Sequence, residues 1–441
     1  MNNNKIYKGF FLLALLVLAP CWAQVHAQSN TITLEEAKKS ALQYSNDIKN
    51  GKLSIEQAEA IKSQALSHYF PTVQALGAGI YGFDDFVEPI PPFLNEGIDN
   101  AYMASAVASE VVYAGGRVRT GNDLAQVRIE ASRIRAEQSI DSVILLTEKK
   151  YWQLVQLQEQ QKVIVASKVY LNELIKQQQD LLDAGLIPSN QLLQVKVSRS
   201  RLTLQESKVN NMRKLALLDF ALYTGISYDT TLVAQDSLHA VSAPSATYTS
   251  PALNLESNSN YQLVEKSIQA AQLQTKMAKA ERLPQFSVGI SATRFGVFDM
   301  NLSTGFQTVG FGLLSIPISS WWGSAKHQIR EREIQEEIAA NNFRDIQDQL
   351  TVGIMQSWYN LQDAFKQIEF AQQNLEYANE NLKVQRDNYN SGLNNLTDLL
   401  DAQRTQQQAE TELVNAYAEY EVNEIVYLHR TDQLETPKMD E

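Results

Sequence analysis

Residues 170–186, YLNELIKQQQDLLDAGL, return at 377–393 as YANENLKVQRDNYNSGL. The two stretches share the pattern Y-x-N-E-x-x-K-x-Q-x-D-x-x-x-x-G-L at an offset of 377 − 170 = 207. The same offset aligns Gly116 with Gly323, Tyr151 and Trp152 with Trp358 and Tyr359, and Leu192 with Leu399. The chain therefore reads as two tandem copies of one unit, and a repeat of this kind decides the fold before any single element does.

Each copy contains an unusually long helical stretch. Between Arg117 and Ala184 there is no proline, and Val127, Ile134, Val143, Ile144, Leu154, Leu157, Val165 and Leu174 recur at mixed spacings of three and four, the period of a helix. Gly116 and Gly185 are 69 residues apart, as are Gly323 and Gly392, which at 1.5 Å per residue is about 100 Å of helix. A rod of that length cannot bury its apolar stripe alone, so it must pack on a returning helix, on its repeat mate or on other copies of the chain. The predicted helices are 117–184 with a return at 189–223, and 324–391 with a return at 396–428. Gly185 and Gly392 mark the turns as helix C-caps.

Ahead of each long helix the period changes from helical to alternating. Phe286, Val288, Ile290 and Ala292 alternate with Gln285, Ser287, Gly289 and Ser291, and Val309, Phe311 and Leu313 alternate with Thr308, Gly310 and Gly312. These are strand signals, predicting strands at about 285–296 and 306–318 and, in the first copy, at about 72–83 and 101–113. Aromatic flanks such as Tyr81, Phe83, Trp321 and Trp322 are similar to the girdles of transmembrane barrel strands. Four strands cannot close a barrel, so closure would need further copies. The predicted organisation is a first repeat at 28–226, a Ser-, Thr- and Pro-containing connector at 227–259, a second repeat at 260–430 and a polar tail at 431–441.

The first residues read as a secretory signal peptide, 1–27: Lys5 and Lys8 precede an apolar run from Phe10 to Ala19, and Val25-His26-Ala27 offers small residues for cleavage. The run is too short to span a bilayer. The only cysteine, Cys21, falls inside this segment, so cleavage leaves a chain without disulfides or cysteine metal sites. Acylation of Cys21 is the alternative. The formal charge of −12 becomes −12 − 2 = −14 without Lys5 and Lys8, a poor match to nucleic acid. His68, His239, His327 and His429 are scattered, and no phosphate loop, zinc motif or nucleophile constellation is present. Catalysis, cofactors and metals are accordingly not expected.

Several segments resemble TolC-type outer-membrane efflux proteins. Asn390-Ser391-Gly392-Leu393-Asn394-Asn395-Leu396-Thr397-Asp398-Leu399-Leu400-Asp401-Ala402 is similar to that family's second hairpin tip, Tyr113-Ala114-Gly115-Gly116-Arg117 to its strand-to-helix joint, and Thr33-Leu34-Glu35-Glu36-Ala37 to its first helix. The resemblance runs from about Thr31 to Leu428. It implies a mainly α fold with membrane strands, in which long helical hairpins form an α-barrel. Each of three chains then gives four strands to a twelve-stranded β-barrel in the outer membrane of a Gram-negative bacterium, in contact with its lipid.

The implied function is a passive exit duct of a tripartite efflux or secretion system. A periplasmic adaptor, the membrane fusion protein, would open it, and an inner-membrane pump would be met directly or through that adaptor. A soluble periplasmic coiled-coil adaptor or scaffold is the rival reading, and an envelope hydrolase the third.

Asp398 and Asp401 lie three apart on one helix face. The resemblance implies that they form the periplasmic gate, with Tyr389, Gln191 and Asn190 beside them. Gln191 stands where the family's first tip has an aspartate, and Asn394 where its second tip has an arginine, so a neutral latch is expected, with the Tyr389 hydroxyl donating to Gln191. Gly185, Leu186, Ile187, Gly392 and Leu393 are the expected adaptor-docking tips, because apolar residues exposed at a turn ask for a partner.

Overall fold

A computed structural model describes residues 31–435, except 95, 250, 252–254, 299 and 301. The predicted signal peptide, Cys21 and the end of the tail lie outside the described residues. Strand β1 (Thr31–Ile32) leads into α1 (Leu34–Tyr44) and α2 (Asn46–Ser67). Thr33 and Glu36 bond reciprocally to each other's backbone at 3.0 and 3.1 Å, a capping box that starts α1. Strands β2 (Thr72–Tyr81) and β3 (Asn100–Ala114) precede the long helix α3 (Arg117–Asp183) and its return α4 (Ser189–Thr224). After β4 (Val233–Ala234) and the single turn α5 (Pro244–Thr247), the second copy follows. It comprises α6 (Ser259–Ala280), β5 (Gln285–Gly296), β6 (Gln307–Ser315), α7 (Ser324–Asn390) and α8 (Leu396–Arg430).

Two predicted strands are shorter than the alternation suggested. The first stops at Tyr81, where the Gly82 amide turns back onto the Asp99 carbonyl. The last stops at Ser315, because Pro317 has no amide to give a ladder and Ile318–Trp321 coil into a 3-10 turn.

Strands β2, β3, β5 and β6 form one sheet in the order β2-β3-β5-β6, antiparallel throughout. Antiparallel partners share a face, and the register separates the apolar sets of β5 and β6. Val288 and Ile290 face with Gly312 and Gly310, whereas Val309, Phe311 and Leu313 face with Ser291, Gly289 and Ser287. Large rings lie over the opposing glycines: a Cβ on Gly289 would stand 2.4 Å from the Phe311 ring. The β5–β6 hairpin thus has no single apolar face, contrary to what each strand's alternation suggests alone.

The helices place the two copies side by side. α3 contacts α1, α2, α4, α6 and α8, whereas the contacts of α7 are mainly with α6 and α8. The duplication is physical as well as textual. Buried Tyr151 packs on Phe220 with ring centroids 6.2 Å apart, and the equivalent Trp358 packs on Tyr427 at 5.3 Å. Each pair anchors an apolar cluster, one around Leu154, Val155 and Leu217 and the other around Leu361, Ala364 and Ile368. Burying a ring of this size contributes about 1.5–3 kcal/mol. Among the described residues no helix is long and apolar enough to cross a membrane.

The predicted connector is a packed band rather than a free linker. β4 pairs in parallel with β1, and the Gln158 side chain accepts from the Ala234 amide at 2.8 Å and donates to its carbonyl at 3.2 Å. Tyr248 donates to Glu424 at 2.9 Å, and Tyr151 lies 2.5 Å from an Asp236 oxygen. Lys38 and Glu148 pair at 2.6 Å with both side chains buried.

Within this band, burial and then the carboxylates of Glu424, Glu148 and Asp236 push Glu421 up to about 7. A carboxyl whose native pKa exceeds its unfolded value binds its proton more tightly when folded. The resulting stability is full below about 4.5 and is lost as pH rises through about 7. Partial exposure brings its size to about 1–3 kcal/mol. Glu421→Gln should raise the thermal midpoint at pH 8 and flatten its rise between pH 8 and 5; an unchanged pH profile would refute the assignment.

Candidate functional site

Both hairpin tips are built by the same backbone device. The Gly185 amide bonds to the Leu182 carbonyl and the Leu186 amide to that of Leu181, each at 2.9 Å. Gly392 and Leu393 repeat this with Tyr389 and Asn388 at 3.0 and 2.8 Å. These are Schellman closures, which require a left-handed residue, and the two glycines have φ of 73° and 74°. The closure throws the next side chain outward: Leu186 is 71 % and Leu393 74 % exposed. Ile187 is half-buried behind them.

Behind the tips lies an apolar cluster drawn from both hairpins, comprising Leu171, Leu174, Val195, Leu202, Leu396 and Leu399. It fixes what the polar residues can do. Asn395 caps α8 by accepting from the Asp398 amide at 3.0 Å, so Asp398 sits in the first turn, where the helix dipole favours an anion. Leu399 and Ala402 turn inward, and Asp398 and Asp401 are both exposed. Asp401 is paired with Arg404 at 3.1 Å, one turn further on. Arg404 is a residue the carboxylate reading overlooked, although its spacing of three from Asp401 is visible in the sequence. Two exposed partners contribute about 0–1 kcal/mol, but each guanidinium offsets one of the two local negative charges.

The neutral latch has a different acceptor from the one expected. Tyr389 donates its hydroxyl to Gln178 at 3.0 Å, not to Gln191. Gln178 lies two turns before Gly185 on the face of α3 that meets the second hairpin, whereas Gln191 belongs to the first turn of α4, its amide bonded to the Pro188 carbonyl. Asn190 is exposed beside it. Gln178 is fully buried, and its Nε2 has no partner. The signal for it was available, since Gln178 and Gln385 occupy the same position of the duplicated segment. Gln385 accepts from Asn394, the residue in the expected arginine position, so that bond stays within one hairpin. The tip arrangement therefore offers two acidic positions per chain, partly neutralised, and one neutral hydrogen bond joining hairpin to hairpin.

A family model described as outer membrane efflux protein matches residues 38–225 and 251–425. Among solved structures, the Vibrio cholerae outer membrane protein VceC is 15 % identical with a TM-score of 0.77, covering 90 % of this chain and 95 % of its own. The Campylobacter jejuni CmeC outer membrane channel is 16 % identical with a TM-score of 0.79, covering 93 % and 87 %. The Neisseria gonorrhoeae MtrE outer membrane channel, solved in its open state, is 14 % identical with a TM-score of 0.70, covering 90 % and 88 %. No curated protein sequence matches the chain.

Tyr389→Phe leaves the buried Gln178 amide without any partner, which costs about 1–3 kcal/mol. The variant should lower the thermal midpoint. Gln178→Leu in the same background should recover most of that loss, because replacing both polar groups removes the orphan. Equal stability of the single and double variants would refute the latch.

Proposed function

The chain belongs to the outer membrane efflux protein family and is a passive outer-membrane exit duct of a tripartite efflux system, not an enzyme, and we propose that three copies close into one cylinder gated at the helical tips. The observation that carries the proposal is a pair of matching open edges. Leu193, Val197, Leu204, Leu215 and Leu222 stand exposed along α4, spaced by 4, 7, 11 and 7 residues. Val352, Tyr359, Phe370, Tyr377 and Val384 stand exposed along α7, spaced by 7, 11, 7 and 7. At 3.6 residues per turn these spacings return to one face. α4 leaves the tip and α7 approaches it, so the stripes of neighbouring copies would lie antiparallel.

The sheet supports the same closure. β2 and β6 are its edges, and hydrocarbon tolerates no unpaired ladder. One face carries Glu110 and Arg294, while the other, with Ser105 bonded to Thr293 at 2.9 Å, carries no charge. A charge at the lipid midplane costs about 2–4 kcal/mol, so we assign the charged face to the pore and the uncharged face to lipid.

At the other end, three copies would bring six carboxylates of Asp398 and Asp401 around the bore, each Asp401 tempered by Arg404. Such a ring attracts cations. Tyr389, Gln191 and Asn190 would stand beside it, and opening would separate the two hairpins at the bond from Tyr389 to Gln178. The projecting Leu186 and Leu393, with Ile187 and the capping glycines Gly185 and Gly392, would meet a periplasmic adaptor that brings the inner-membrane pump.

A chain carrying Leu204→Cys and Phe370→Cys, treated with a short bismaleimide in the outer membrane, should give covalent dimers and trimers on a denaturing gel. Monomers alone would refute the closure. Asp398→Asn with Asp401→Asn should weaken block of single-channel current by divalent cations roughly tenfold; unchanged block would remove the gate role.

A further inference from the structure

We propose that the joint between sheet and helices in the second repeat holds one phospholipid with an anionic headgroup, drawn from the periplasmic leaflet of the outer membrane. This rests on the duct reading, which sets the sheet in the bilayer. Below Pro284, where β5 begins, the end of α6 and the start of α7 enclose a cleft of about 520 Å3 lined by Lys279, Arg282, Leu283, Trp321, Ile329 and Glu333. Arg282 donates to the Trp321 carbonyl at 3.1 Å, and the Trp321 indole N–H donates to the Arg282 carbonyl at 3.2 Å. This reciprocal pair fixes a cation beside an exposed ring. Glu333 is met by Lys279 at 3.0 Å and by Arg330 at 3.8 Å, and Arg330 also meets Glu337 at 3.3 Å, so among the described residues Arg282 is the cation of the cleft that has no carboxylate within ion-pair distance. Glu281 lines a separate cleft with Arg117.

The duplication provides an internal control. Pro71 aligns with Pro284 at an offset of 213, which sets Leu66 and Tyr69 opposite Lys279 and Arg282; the offset of 207 sets Ala114 opposite Trp321 and Gln126 opposite Glu333. The first repeat makes the same joint without these groups, so the fold does not require them. Exposed Leu283, Ile316 and Ile318 continue from the cleft to the strand ends, an apolar path for an acyl chain. The amphipathic Trp321 and Trp322 are exposed at the height where such rings settle in a membrane boundary. A phosphate there would take the charge of Arg282, with Lys279 beside it shared between the phosphate and Glu333.

Native mass spectrometry of the full-length channel in neutral detergent, titrated with phosphatidylglycerol or phosphatidylcholine, tests this. One phosphatidylglycerol per protomer should be retained with a preference of roughly tenfold or more. Lys279→Gln with Arg282→Gln should abolish the preference while heat-modifiable migration persists. If the double variant does not assemble, Lys279→Gln alone, which frees half-buried Glu333, should still lower the preference. Equal retention of the two lipids, unchanged preference in the variants, or displacement by millimolar inorganic phosphate would overturn the proposal. Absence of the chain from outer-membrane fractions would instead sink the duct reading.

Discussion

A four-stranded sheet has two edges, and in hydrocarbon a backbone N–H or C=O at either edge has nothing to bond with. β2 and β6 are those edges here, and the helices below reproduce the problem in apolar form, with α4 and α7 each carrying an uncovered stripe. Most of the architecture follows from having the same deficit at both levels. A chain with open edges on both sides of its sheet and of its helical layer fits the proposed place of one sector in a closed wall. Its lone fold is stabilised within each copy by the Tyr151–Phe220 and Trp358–Tyr427 clusters, and between the copies by the leucine cluster behind the tips.

The duplication makes the sector economical, but its copies have diverged where they do different things. α3 is enclosed by neighbours on several sides, and α7 is enclosed mainly by α6 and α8. Asp398 and Asp401 occur in the second tip, where the first has Gln191 and Gln194. A ring of six hairpins would then alternate acidic and neutral, threefold rather than sixfold. The bond from Tyr389 to Gln178 crosses between the two kinds.

Much of this was legible because long helices write their period many times over. The 207-residue offset, the capping glycines and the strand-to-helix joint all appear in the sequence. What was not legible depends on register between segments that the sequence gives no ruler for. Each strand's alternation is plain, yet which face of β5 meets which face of β6 appears only in the register, where Gly289 pairs with Phe311. The acceptor for Tyr389 lies across a hairpin boundary, on a glutamine among several in α3. The ribbon of β1 and β4 is two residues deep, too short for any periodicity to announce it. Arg404 was visible by spacing, but a reading that counts carboxylates sees one sign of charge.

The side chain of Gln158 has a consequence for the time before assembly. By bonding both backbone groups of Ala234 it seals the outer flank of β4, so the ribbon offers no template for a stray strand on that side. β2 and β6 have no such seal. Unpaired, they are sticky ends, and the hazard of amyloid-like misjoining is concentrated in the sheet. Whatever delays the pairing of these two edges would then show first as precipitation seeded from the sheet.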